Sequence, residues 1–176
     1  SIRAARLARE SGMPVVLDID SVRDGSRDLL ALVDFPIVSE SFAPRLTGKT
    51  DLREALAEVQ AISPARFACA TLGRRGALAL HGHQALRARG VDLPVVDTTG
   101  AGDVFHGGFL YGLLREWDLP ETLRFATAAA AACSASSRRC TATRRAGTVS
   151  KPNGIDRLAS QSRRPKGQGR RAKGWA

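Results

Sequence analysis

The chain has 176 residues, 43% hydrophobic and 25% charged, which is enough for one domain with a real core. No apolar run approaches the roughly 20 residues that cross a bilayer, and the basic start lacks the apolar stretch of a secretory signal, so a cytoplasmic, membrane-free protein is expected. The net charge of +10 is unevenly placed: residues 1–132 hold 15 Lys/Arg against 16 Asp/Glu, whereas 133–176 hold 12 against Asp156 alone.

Ile2, Leu7 and small alanines recur at helical spacing, and Gly12 followed by Pro14 stops that helix. PVVLDI at 14–19 is a short β-branched run of the kind buried on both faces of a sheet. A helical stretch at 27–32 leads to a second apolar run at 35–38, after which Ser39 or Ser41 can cap a short helix that Gly48 ends. DLREALAEVQAI at 51–62 is the clearest amphipathic helix, with Leu52, Ala55, Leu56, Val59 and Ile62 on one face and Thr50 or Asp51 as cap. A strand at 66–71 precedes a glycine turn, then ALALH and QALRAR joined by Gly82-His83, which read as a hairpin. A further strand is predicted at 91–97, and helices at about 101–115 and 120–133. Strands alternating with helices imply an α/β fold with a mainly parallel sheet covered on both faces.

After Cys133 the apolar periodicity collapses into a Ser/Arg/Lys/Gly tail that cannot bury enough surface to offset its ordering entropy. Two domains of unlike character are therefore expected, 1–132 and 133–176, the second a basic low-complexity tail that is either the product of a shifted reading frame or a genuine disordered segment. Cys69, Cys133 and Cys140 are odd in number and widely spaced, which predicts plain thiols. His81 and His83 flank a turn glycine without further ligands, so no metal role is expected for them.

The segment VVDTTGAGDVFHGGFLYGLL carries the chemistry. It reads as a strand, a tight glycine turn and a helix whose first N–H groups lack intrahelical partners, a ready site for phosphate. Gly100 and Gly102 let the backbone approach a ligand closely, since neither bears a Cβ. Asp103 falls in the same helical turn, where a carboxylate is odd for plain phosphate binding and suits a general base toward a hydroxyl. The competing structural reading is a glycine turn whose Asp merely complements the helix dipole. His106, three residues on, is expected to pack or make a structural hydrogen bond.

The string Asp97-Thr98-Thr99-Gly100-Ala101-Gly102-Asp103, continued by Val104-Phe105-His106-Gly107-Gly108-Phe109, resembles the C-terminal signature of the ribokinase-type (PfkB) carbohydrate kinases. That resemblance implies a ribokinase-like three-layer α/β/α fold and ATP-dependent phosphorylation of a sugar hydroxyl, with Mg2+ and, in many members, K+. By position, Asp103 matches the catalytic base, and Gly100, Ala101 and Gly102 match the anion hole. Asp97 and Thr99 match positions that help hold the monovalent cation. Thr71-Leu72-Gly73-Arg74-Arg75-Gly76 resembles the turn that lies along the nucleotide, and Thr127 stands where many members place an Asn near it. Asp18-Ile19-Asp20-Ser21-Val22-Arg23 is similar to a further family segment. The element that organises magnesium is altered, with Ser39 and Phe42 in place of Asn and Glu, and Glu40 reads either as a substitute or as an exposed structural glutamate, so no divalent-metal ligand is assigned.

The resemblance covers residues 1–132, without the N-terminal part that supplies the family's sugar-binding residues, so an incomplete fragment with little activity of its own is expected. Two alternatives stand beside the kinase: a non-catalytic nucleotide-binding remnant, and salt-dependent nucleic-acid binding through the basic tail. Trp175 is the one aromatic residue there, which argues against stacking on single strands.

Overall fold

A computed structural model describes residues 1–136. The basic tail, and with it the nucleic-acid reading, lies almost wholly outside the described residues. The elements in order are α1 (Ile2–Glu10), β1 (Val16–Ile19), α2 (Ser26–Leu30), β2 (Phe35–Ser39), α3 (Phe42–Thr47), α4 (Leu52–Ile62), β3 (Phe67–Thr71), β4 (Gly76–His81), β5 (Gln84–Arg89), α5 (Ala101–Leu114) and α6 (Leu119–Ala135). A single 3-10 turn, Gly73–Arg75, joins β3 to β4. The compositional break at residue 133 thus falls within the last turn of α6.

The sheet has the order β1-β2-β3-β4-β5. β1, β2 and β3 run parallel, with Val16 opposite Phe35 and Ile37 opposite Cys69. The hairpin β4–β5 then extends the sheet antiparallel, with Ala77 opposite Thr71 and Ala88. Parallel strands need crossovers, which α2 and the α3–α4 pair provide.

β3 shows why the sheet sits in the middle. Its side chains alternate, so Phe67 and Cys69 enter one core and Ala68 and Ala70 the other. On the first face Phe35, Ile37, Phe67, Phe105, Phe109 and Leu123 pack together, Phe109 meeting Phe35 and Phe67 at ring-centroid separations of 5.8 and 5.7 Å. The second face is closed by Leu30, Phe42, Leu56 and Val59 from α2, α3 and α4. Both faces of the sheet are covered by helices, as the strand–helix alternation implies.

Local signals explain the helix ends. Of the two candidate caps for α4 it is Asp51 that accepts from Glu54 N, at 2.9 Å, and Asp118 does the same for α6 through Glu121 N. Gly48 ends α3 in the left-handed region at φ 75°. Ser41 is the residue before α3, although its side chain makes no capping bond.

Two strand expectations are corrected. β1 is not buried on both faces: it lies at the end of the sheet, and its residues are half-buried apart from an exposed Asp18. Residues 91–97, read as a strand from their valines, form a loop. Pro94 has no N–H to give a ladder, and the N–H groups of Val96 and Asp97 donate instead to Ser134 O at the end of α6 (2.8 and 3.2 Å).

Candidate active site

The C-terminal ends of β1, β2 and β3 point the same way, and in α/β sheets ligands bind at that edge. Here the edge carries Asp18 and Asp20 after β1, Ser39 and Glu40 after β2, and Thr71 at the end of β3. A cleft of about 200 Å³ opens beside Thr71. Its walls are the Gly73–Arg75 turn, the 90–95 loop, the first turn of α5 and one side of α6.

Glycines set the cleft's rear wall. A Cβ on Gly76 would fall 2.1 Å from Ala88 O, and one on Gly90 would fall 1.9 Å from Arg74 O. Gly76 also sits at φ 91°, a conformation that side chains avoid. The turn after β3 and the exit of β5 therefore press backbone against backbone.

At the other end, Gly100 at φ 79° reverses the chain into α5. Asp97 Oδ1 accepts from Thr99 N (2.9 Å), and Ala101 N donates to Thr98 O (3.1 Å). The next two N–H groups, of Gly102 and Asp103, have no backbone acceptor among the described residues. They are the donors that a helix start leaves for an anion. A Cβ on Gly102 would meet nothing within 4 Å, so the residue is not packed against a neighbouring element.

Thr71, Gly73, Arg74, Gly76, Ala101, Gly102 and Thr127, all singled out in the sequence, come together as lining of this one cleft. Thr127 is 5% exposed and its Oγ1 has no hydrogen-bond partner, so a buried polar atom on the cleft wall lacks the bond it needs. Asp103 is exposed on the first turn of α5, next to Gly102 but outside the lining. Gly100, Asp97 and Thr99 form the turn behind it. Leu72 turns its side chain away into the core under α4. Arg75 also points elsewhere, forming an ion pair with Glu40. Glu40's hydrogen bond, then its charge, raise the Arg75 pKa. The candidate magnesium glutamate is thereby engaged by a cation, and Phe42 is wholly buried. Among the described residues no cluster of three or more His, Cys, Asp or Glu could hold a metal.

His106 makes the structural bond expected of it. A carbonyl only accepts, so Nδ1–H donates to Gly102 O, at 2.8 Å. Its Nε2 is buried without a hydrogen-bond partner and lies 3.5 Å from Asp18 Oδ1, so the start of α5 comes close to the end of β1. Residues that sequence reasoning missed are Gly90, Val91, Leu93, Val95, Ala130, Ala131 and Ser134. They are small or apolar and carry no reactive group, so only their placement reveals them.

The family model for pfkB family carbohydrate kinases matches residues 2–145. The chain belongs to the pfkB family of carbohydrate kinases. The match runs past the charge break at 133 and includes both glycine turns. Among curated pfkB relatives, a ribokinase from Haemophilus influenzae is 34% identical over 133 residues, covering 73% of this chain and 43% of the relative. An ATP-dependent 6-phosphofructokinase from Thermoanaerobacterium thermosaccharolyticum is 35% identical over 109 residues, covering 62% and 34%. Among solved structures, the aminoimidazole riboside kinase of Salmonella enterica, complexed with aminoimidazole riboside and an ATP analogue, superposes with a TM-score of 0.67 at 29% identity, covering 77% of this chain and 50% of that one. The fold is thus the ribokinase-like α/β architecture, and the chain spans half or less of the length of these relatives.

Proposed function

We propose that this chain is the nucleotide-binding half of an ATP-dependent sugar kinase, with Asp103 as the base that activates the acceptor hydroxyl. The observation that carries the reading is the joint lining of one cleft by the 73–75 turn, the open N-terminus of α5 and the unsatisfied Thr127 hydroxyl. A nucleoside triphosphate fits this set: its phosphates take the N–H groups of Gly102 and Asp103, and the rest of the molecule runs along the α6 wall. The printed descriptions of the phosphofructokinase as ATP-dependent, and of the Salmonella kinase with an ATP analogue, support the same nucleotide.

In this reading the Asp103 carboxylate takes the proton of a sugar hydroxyl as its oxygen bonds to the γ-phosphorus, and the bond to ADP breaks. The donors at Gly102 and Asp103 hold the transferring group and stabilise its charge. Mg2+ bound with the nucleotide would neutralise phosphate charge; among the described residues no group of three or more His, Cys, Asp or Glu would hold it, so the phosphate oxygens would have to supply ligands. The Asp97–Thr99 turn is the proposed seat of a monovalent cation such as K+.

The test is isothermal titration with Mg-ATP beside a phosphorylation assay on a panel of pentoses, hexoses and sugar phosphates. Asp103→Asn should leave nucleotide affinity within about threefold of the parent, since it removes only a carboxylate near phosphate, while lowering transfer by about 100-fold or more. The 176-residue chain by itself is expected to bind nucleotide and to turn over little. Unchanged transfer in Asp103→Asn would remove the base assignment, and absence of ATP binding would remove the kinase reading.

A further inference from the structure

We propose that the cleft accepts purine nucleoside triphosphates with little discrimination between adenine and guanine. This rests on the kinase reading above and goes further, to the part of the nucleotide that reading leaves unspecified.

The phosphates are fixed at one end by the start of α5, so the base lies against the remaining wall. That wall is built from Val91, Leu93 and Val95 on one side and Ala130 and Ala131 on the other, with glycines behind them. Most polar side chains among the described lining residues are already engaged or lie at the edge of the cleft. Ser134 Oγ donates to Ala130 O (3.0 Å), and Thr71 Oγ1 donates to Val38 O (3.4 Å). Arg74 is largely exposed at the mouth, beside Asp92 at 3.8 Å. Thr98 belongs to the phosphate turn, where its carbonyl accepts from Ala101 N. Thr127 Oγ1 is left as the buried lining atom without a partner.

A hydroxyl is a rotor that donates and accepts equally well. It can donate to the N7 that both purines present, donate to guanine O6, or accept from the adenine 6-amino group. Adenine and guanine differ by reversing donor and acceptor at position 6, and a site rejects the wrong base strongly when a fixed buried group is left unpaired by it. Among the described lining residues no side chain is fixed in that way. Apolar contact with a flat ring, which both purines offer alike, supplies the remaining affinity.

The experiment measures dissociation constants of the protein for Mg-ATP, Mg-GTP and Mg-UTP by titration calorimetry, with Thr127→Val beside the parent. GTP is expected to bind within about thirtyfold of ATP, the range that shape alone allows, and UTP more weakly than either because one ring buries less surface. Thr127→Val, close in shape and removing an unsatisfied polar atom, should fold as well as the parent and lose about threefold to tenfold in affinity for ATP and GTP alike, the value of one neutral hydrogen bond. A preference for ATP over GTP beyond thirtyfold would show that the main chain of the 90–95 loop reads the base, and would overturn the inference while leaving the kinase reading intact. UTP binding as tightly as ATP, or a Thr127→Val loss confined to one purine, would also overturn it. Failure of all three triphosphates to bind would overturn both readings.

Discussion

The packing of α5 on α6 places the start of α5 against the sheet, and two neighbouring glycines allow its steric basis to be measured. A Cβ on Gly108 would lie 2.9 Å from Ala126 Cα and 3.5 Å from its Cβ, so α6 backbone would have to retreat. A Cβ on Gly107, one residue away on the exposed side of the same helix, would meet nothing within 4 Å. Each Gly→Ala change gains about 0.8–1 kcal/mol of helix propensity. That gain cancels between the two variants, and what remains is the cost of forcing a methyl into a filled interface, about 1–3 kcal/mol. Gly107→Ala should therefore stabilise the protein, and Gly108→Ala should lie about 1–3 kcal/mol below it. Urea unfolding followed by far-ultraviolet circular dichroism reads this as a shift in midpoint at constant slope, provided the transition is two-state. In thermal melts the same gap separates the two variants by about 3–10 °C. If they unfold within about 0.5 kcal/mol of each other, the close approach of α5 and α6 at Ala126 is not present in solution.

Two further outcomes follow from other sites. Gly102→Ala has room for its methyl, so the fold should keep or slightly raise its stability, while the methyl beside the open N–H groups weakens Mg-ATP binding by about tenfold or more; equal binding in a titration would place the phosphates elsewhere. The Cys69 thiol is wholly buried, and that burial pushes its pKa far up. The unfolded chain releases this proton first, near pH 8.5, so the folded state binds more protons above that pH and loses stability as pH rises, by about 1.4 kcal/mol per unit from this group. Unfolding midpoints measured between pH 7 and 10 should show that fall and lose it in Cys69→Ala, and iodoacetamide should label Cys69 only after unfolding.

Much of the fold is legible because the sequence repeats its own message. Phe67-Ala68-Cys69-Ala70 is apolar at every position, as a strand between two helical layers must be, and the cap at Asp51 marks the start of α4. The glycine turn before α5, proposed to hold phosphate, is legible for a different reason: its geometry is that of the backbone, and the glycines record where the backbone must come close or turn left-handed, as Gly100 does. Where local pattern misleads, long-range partners decide. Val91, Val95 and Val96 favour a strand, yet with Pro94 among them and Ser134 O as acceptor they form a loop, of which Val91 and Val95 line the cleft. Glu40 shows the same limit, since its partner Arg75 is 35 residues away and no spacing rule joins them.

The most direct test of the central claim is a titration of the 15N-labelled protein with a non-hydrolysable Mg-ATP analogue, followed by amide shifts. The largest changes are expected at Gly102 and Asp103, with further shifts along Gly73–Gly76 and at Thr127. Changes centred instead on the open groove between α1 and β1, around Asp20 and Asp24, or no changes at all, would contradict it.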